Sequence, residues 1–203
     1  MARPKSATHD LKRDEILDVA AQCFARQSFP AASMNDIAKA CGTSKARLYH
    51  YYESKEAILF DLLDRYTQRL LALIGEAEGR AQRKNLSERD ALSELVRAFL
   101  AEYETSATRH AALVSDTKFL GPAQRELVVN RQRDVVAAFT RFIRRAYPER
   151  VTPTNQTALT MMLFGMINWT FIWLRPGGPM SYAGFAEEVV SVLENGLAGR
   201  RPD

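Results

Sequence analysis

The residues best suited to chemistry fall in one short run. After Ser44 come Lys45, Ala46, Arg47, Leu48, Tyr49 and His50: two cations, a small side chain, a phenol and an imidazole around one leucine. On a helix with Leu48 turned inward, Lys45, Arg47, Tyr49 and His50 project outward. Such a face suits the major groove of DNA, where lysine or arginine reaches guanine O6 and N7 and Ala46 packs on a thymine methyl. The rest of the chain holds no catalytic set. Its three histidines, His9, His50 and His110, lie far apart, and it has no nucleophile elbow, phosphate loop or His-Glu-x-x-His helix. Cys23 and Cys41 are too few for a disulfide framework and lack the paired spacing of a zinc site. No catalytic residue, metal or cofactor is expected, and Cys41 reads as a small core residue.

A recognition face needs elements to hold it, and the pattern is helical almost throughout. Ile16, Val19, Ala20 and Phe24 recur at spacings of three and four, which predicts a first helix over 12–27. The basic stretch before it, Lys5 to Arg13, reads as a solvated leader, with a minor-groove arm as the alternative, and Ser28-Phe29-Pro30 ends the helix. Ser33 can cap a second helix over 34–40, because its hydroxyl accepts one of the orphan amide protons of the first turn. Gly42 stands where a helix end favours a left-handed residue, and Ser44 can cap a third helix over 45–51. Two short helices joined by about three residues with a glycine make a helix-turn-helix. Ile37, Ala38, Cys41 and Leu48 are its expected core.

Ser54 opens a long fourth helix with Ile58, Leu59, Leu62, Leu63, Tyr66, Leu70 and Leu73 along one stripe. The polar stretch 75–85, with two glycines, reads as a bend or a helix end. Further helices are expected after Ser87 and over 109–119, 124–146, 154–173 and 181–197, with no strand-like alternation and no repeat. The expectation is an all-α fold of about nine helices: a helix-turn-helix head over 1–54 and a larger helical body over 55–203.

Composition narrows the classes. The chain has 203 residues, 46% of them apolar and 26% charged, enough for a buried core and unlike a disordered sequence. The apolar run over 158–174 is interrupted by Thr160, Asn168 and Thr170 and falls short of the roughly 20 residues a bilayer demands, so no membrane partner is expected. With no signal-like apolar segment after the basic start, a reducing cytoplasm is the natural setting. Net charge is +4, and residues 1–55 hold nine Lys and Arg against six Asp and Glu. Most of the positive excess therefore lies in the first quarter, where a polyanion would be met.

The segment from Ser33 to Ala57, with Asn35-Asp36-Ile37-Ala38, Gly42-Thr43-Ser44, Leu48-Tyr49-His50-Tyr51-Tyr52 and Ser54-Lys55-Glu56, resembles the amino-terminal domain of the TetR/AcrR family of bacterial transcriptional regulators. The resemblance covers roughly residues 12–60. It implies a dimeric, all-helical regulator, usually a repressor, that binds double-stranded operator DNA until a small molecule enters the ligand-binding and dimerisation body. Thr43, Ser44, Tyr49, Tyr51 and Lys55 match family positions that contact phosphates, and Ser33 and Asn35 complete the DNA-facing set. Position 47 more often carries a small residue or threonine in the family. Arg47 is a departure that adds either a base contact or a phosphate link.

A second resemblance concerns the effector. Lys118-Phe119-Leu120 and the stretch 165–178, with Asn168-Trp169 and Trp173-Leu174-Arg175-Pro176-Gly177-Gly178, look like a subgroup that responds to coenzyme A thioesters. A thioester needs an apolar cavity and cations at its mouth. Phe99, Tyr103, Phe119, Phe164, Trp169 and Trp173 are the expected lining, and Arg109, Arg141, Arg145 and Arg175 the expected cations. The helices over 154–173 and 181–197 are too apolar for one body to cover, so a homodimer is expected through them. Competing readings are a repressor that answers to another hydrophobic compound and a helical protein-interaction module that binds no DNA. Salt separates the last from the rest: binding to DNA should weaken steeply as ionic strength rises, because each neutralised phosphate releases counterions, whereas an apolar protein contact should respond little. Duplex binding followed from low to physiological salt is the measurement, and a flat response would favour the protein-interaction module.

Overall fold

A computed structural model describes residues 6–198. Among them the chain is helical: α1 Ser6–Gln27, α2 Met34–Ala40, α3 Lys45–Tyr49, α4 Lys55–Lys84, α5 Glu88–Thr105, α6 Ala107–Asp116, α7 Pro122–Ala146, α8 Gln156–Ile167, α9 Thr170–Trp173 and α10 Tyr182–Ala198, with a 3-10 turn at Thr117–Phe119. The described residues gather into two units, 6–66 with 108–128 and 67–107 with 129–198, so α4 begins in the first and ends in the second.

The first unit is a small core closed by helix ends. Ile16, Leu17, Ala20 and Phe24 of α1 are buried, as are Ile37 and Ala38 of α2, Leu48 of α3 and Ile58, Leu59 and Leu62 of α4. Each such aliphatic or aromatic side chain contributes about 1.5–3 kcal/mol on leaving water. The leader expected before the first helix is partly helix, since α1 begins at Ser6. Residues 6–13 contain no proline or glycine to oppose it, and Lys5 of that expectation lies outside the described residues. Ser28, with φ 67°, ends α1 in a left-handed conformation.

One polar cluster joins α1 to the start of α4. Asp61 accepts from the Tyr52 hydroxyl at 2.5 Å, from Arg13 at 2.8 Å and from Arg65 at 3.0 Å, while Arg65 also reaches Asp14 at 2.8 Å. Burial disfavours charge on Asp61, but the hydrogen bonds from Tyr52 and Arg65 and the nearby guanidinium groups outweigh it and hold its carboxyl below the usual range. Burial also pushes the Tyr52 hydroxyl up, so it stays a donor.

In the second unit Leu92, Leu95, Val96 and Phe99 of α5 are buried, as are Phe139, Phe142 and Ile143 of α7, Leu163 and Ile167 of α8 and Val189 of α10. Arg97 and Glu187 form two parallel hydrogen bonds, 2.7 and 2.9 Å, between α5 and α10. The stretch 75–85 is not a bend: α4 runs through Gly75 and Gly79 to Lys84, and Asn85, with φ 49°, ends it. The helix expected over 154–173 is shorter and divided. It starts at Gln156, after Thr152 and Asn155 exchange side-chain-to-backbone hydrogen bonds, and it breaks at Asn168 and Trp169. There the Tyr103 hydroxyl donates to Asn168 Oδ1 at 3.1 Å and Thr170 turns its hydroxyl back to the Ile167 carbonyl. No helix among the described residues is long and apolar enough to cross a membrane.

The Asp61 cluster carries a pH signature. Its folded carboxyl has a pKa below the unfolded value of about 4, so the stabilisation is whole above that value and is lost as pH falls through the folded pKa. Asp61→Asn is expected to lower the unfolding free energy by about 2–3 kcal/mol at pH 7. Urea unfolding of both proteins as a function of pH checks this, with the gap closing below about pH 4.

Candidate nucleic-acid interface

The recognition face depends on two caps. Ser33 and Asp36 form a reciprocal pair, with the Asp36 amide donating to Ser33 Oγ at 3.2 Å and the Ser33 amide to Asp36 Oδ2 at 3.0 Å. The hydrogen bonds from Ser33 hold the Asp36 carboxyl below its ordinary range. Gly42, with φ 62°, reverses the chain, where a side chain would be strained, and the Thr43 amide closes the turn on the Ala38 carbonyl at 2.9 Å. Ser44 then accepts from the Arg47 amide at 3.2 Å and starts α3. Both serine hydroxyls accept within the helix ends, and that of Ser33 also donates to Asp36 Oδ2.

Around this frame Leu48 is 0% exposed while Lys45, Ala46, Arg47, Tyr49 and His50 are all exposed, as is Asn35 on α2. Lys45 lies 5.8 Å over the Tyr49 ring. Among the described residues no carboxylate pairs with Lys45 or Arg47, so their charges stand unneutralised on one surface. Thr43 and Tyr51 are half-buried, and Tyr51 stacks on His9 with ring centroids 5.0 Å apart. His9 lies outside the expected set, because spacing starts the first helix at residue 12; the absence of proline and glycine over 6–13 is the signal for the longer helix. Lys39, exposed in the last turn of α2, adds a further cation to the same unit.

Lys55, expected on a phosphate, turns its ammonium to backbone carbonyls in the DNA-free protein. It donates to Phe29, Pro30 and Ala32 at 3.0, 3.0 and 2.9 Å, which engages all three of its protons. Burial raises the pKa of both Cys23 and Cys41, which keeps them as unreactive thiols.

The residues expected to hold an effector do not all meet. Phe99 and Phe164 pack edge-on against Phe139 at 4.7 and 4.9 Å, and Tyr103 lies edge-on to Phe99 at 6.0 Å, all within the second unit. Arg141 and Arg145 are exposed one turn apart on α7, where Arg145 reaches Glu88 at 3.1 Å and lies 4.7 Å over Phe142. Arg175 is exposed, and Trp169 and Trp173 are about half exposed, at 49% and 50%. Arg109 and Phe119 belong to the first unit: Arg109 pairs with Asp18 of α1 at 2.6 Å, and Phe119 stacks on Phe29 at 5.2 Å.

A capped two-helix reader within an all-helical chain defines a DNA-binding regulator of the helix-turn-helix class. Residues 16–62 match the family described as bacterial regulatory proteins, tetR family, and residues 85–197 match the tetracyclin repressor-like C-terminal domain. The chain belongs to the tetR family of bacterial regulatory proteins. It is 25% identical over 198 residues to the HTH-type transcriptional repressor KstR2 of Mycolicibacterium smegmatis, covering 95% of this chain and 93% of that protein. A TetR-family transcriptional regulator from Bordetella parapertussis has the same fold, with a TM-score of 0.85, 33% identity and coverage of 94% of this chain and 98% of that one. AibR, solved in complex with isovaleryl coenzyme A and operator DNA, shares the fold at a TM-score of 0.74 and 21% identity, over 89% of this chain and 97% of its own.

The exposed, unpaired Arg47 has a measurable consequence. Arg47→Ala is expected to relax preference at one base pair, at a cost of about 1–3 kcal/mol if the contact is bidentate to guanine. Affinities for a set of single-base operator variants measure it. Equal loss on every variant would assign Arg47 to a phosphate.

Proposed function

We propose that the chain is a homodimeric repressor that releases its operator when it binds an acyl- or aryl-coenzyme A thioester. The observation that carries the DNA half is the exposure of Lys45, Ala46, Arg47, Tyr49 and His50 around the buried Leu48. Lys45 and Ala46 face base edges and Arg47 a base or a phosphate, while Thr43, Tyr49, Tyr51 and Asn35 border them with groups suited to the backbone. Two such heads in a symmetric dimer address a near-palindromic site, with half-sites about 34 Å apart or somewhat more.

The dimer reading draws on the second unit. Met161, Met162, Ile172 and Val192 are 51%, 66%, 55% and 56% exposed, and Trp169 and Trp173 lie among them in sequence on α8 to α10. A surface so apolar is the kind that a second copy of the chain covers. Trp169 and Trp173 fit that role as well as a cavity lining.

For the effector, the cluster of Phe99, Tyr103 and Phe164 supplies apolar material, and Arg141 and Arg145 supply cations for a nucleotide end. AibR is solved in complex with isovaleryl coenzyme A on the same fold, and the stretch 165–178 resembles that of thioester-responsive regulators. Release requires the effector to bind the DNA-free state more tightly than the DNA-bound one, since a ligand with equal affinity for both shifts nothing. The test is a mobility shift on the promoter beside the protein's own gene, titrated in parallel with thioester, free acid and free coenzyme A. The thioester is expected to release the DNA at the lowest concentration. Release by the free acid with no advantage to the thioester would remove the coenzyme A assignment and leave the repressor standing.

A further inference from the structure

We propose that Lys55 is a positioning residue of the reading head: it locks the turn before α2 and thereby sets where α2 and α3 stand. This rests on the DNA-reading role of α3 given above. The turn from Ser28 to Ala32 leaves α1 through the left-handed Ser28 and contains Pro30, which has no amide proton to give. Its internal backbone hydrogen bond runs from the Ala32 amide to the Ser28 carbonyl at 3.1 Å. The carbonyls of Phe29, Pro30 and Ala32 point together, an arrangement that like dipoles oppose unless a cation sits among them. The Lys55 ammonium does so, within 3.0 Å of all three.

The same ammonium lies 4.7 Å over the Phe29 ring. That ring is 3% exposed and is held from two other sides, edge-on by Phe24 at 5.1 Å and stacked by Phe119 at 5.2 Å. Ala32, the last residue of the clamp, is joined directly to Ser33, the cap of α2. A shift of the turn is therefore a shift of the start of α2, and α3 follows through the Gly42 turn. Phe119, expected to line a ligand cavity, and Lys55, expected on a phosphate, meet on one ring, that of Phe29.

Lysine is specific here. Arginine carries the same charge and would serve a phosphate, but its planar fork cannot deliver three protons to three converging carbonyls. The experiment measures affinity for an operator duplex and for a random duplex, across a salt series and at low temperature, for the unmodified protein, Lys55→Ala, Lys55→Arg and Phe119→Ala. Circular dichroism confirms that each is folded, and amide hydrogen exchange at Ala32 and Ile37 reports the clamp without DNA. Both lysine variants should lose operator preference over random DNA by roughly tenfold, the value of about one base pair. The salt slope should stay unchanged and exchange at Ala32 and Ile37 should quicken. Phe119→Ala should show the same pattern more weakly.

A slope lower by about one, with both duplexes weakened alike, would make Lys55 a phosphate contact and overturn the proposal. Full operator preference in Lys55→Arg, or equal weakening of both duplexes at an unchanged slope, would overturn it too. Unaltered amide exchange in Lys55→Ala would overturn the clamp whatever the DNA results. An unmodified protein with no operator preference would instead be a failure of the reading head, and the exchange measurement would still decide the clamp.

Discussion

A helix of five residues has little more than one turn and cannot hold its shape alone, because nucleation costs more than so few hydrogen bonds return. α3 is such a helix, and the DNA-facing surface depends on it. Its persistence comes from outside: Ser44 satisfies an amide at its start, and Leu48, fully buried, anchors it in the core formed with α1 and α2. Every outward side chain of the reader takes its direction from that one inward leucine. A polar residue there would leave five exposed groups with no fixed orientation.

The charges of the first unit divide into two kinds. Arg13, Arg65, Asp14 and Asp61 are spent on one another and on Tyr52, and Lys55 is spent on backbone carbonyls. They set geometry, and what they contribute depends on burial and on short, well-aligned hydrogen bonds. Lys39, Lys45 and Arg47 are exposed. Their energy is realised only when a polyanion arrives and its counterions leave. A modest net charge of +4 is thus compatible with DNA binding, because the cations that matter are the unpaired ones on a single face.

In the second unit the constraint is apolar. α8 is nearly devoid of charge, and only part of it is covered by α5, α7 and α10; Met161 and Met162 remain exposed while Leu163, Phe164 and Ile167 are buried. The aromatic cluster of Phe99, Phe139 and Phe164 fills the interior with edge-to-face contacts, each worth about 0.5–1.5 kcal/mol beyond its area. An unpartnered apolar face is what distinguishes a chain built to associate from one built to stand alone.

Residue type and spacing were enough for the all-helical class, the helix-turn-helix with its two serine caps and glycine turn, and the outward set on α3. These are local matters: a cap lies within three residues of the amide it serves, and a helical face is read from spacing. The start of α1, the continuity of α4 through two glycines and the break at Asn168 were not legible. Each was decided by contacts from elsewhere in the chain, such as His9 on Tyr51 and the Tyr103 hydroxyl on Asn168. The roles of Lys55, Arg109 and Phe119 belonged to the tertiary structure for the same reason. A cation beside a helix start and an aromatic ring in a loop suit many partners equally well, and only the fold brings Lys55 to three carbonyls, Arg109 to Asp18 and Phe119 to Phe29.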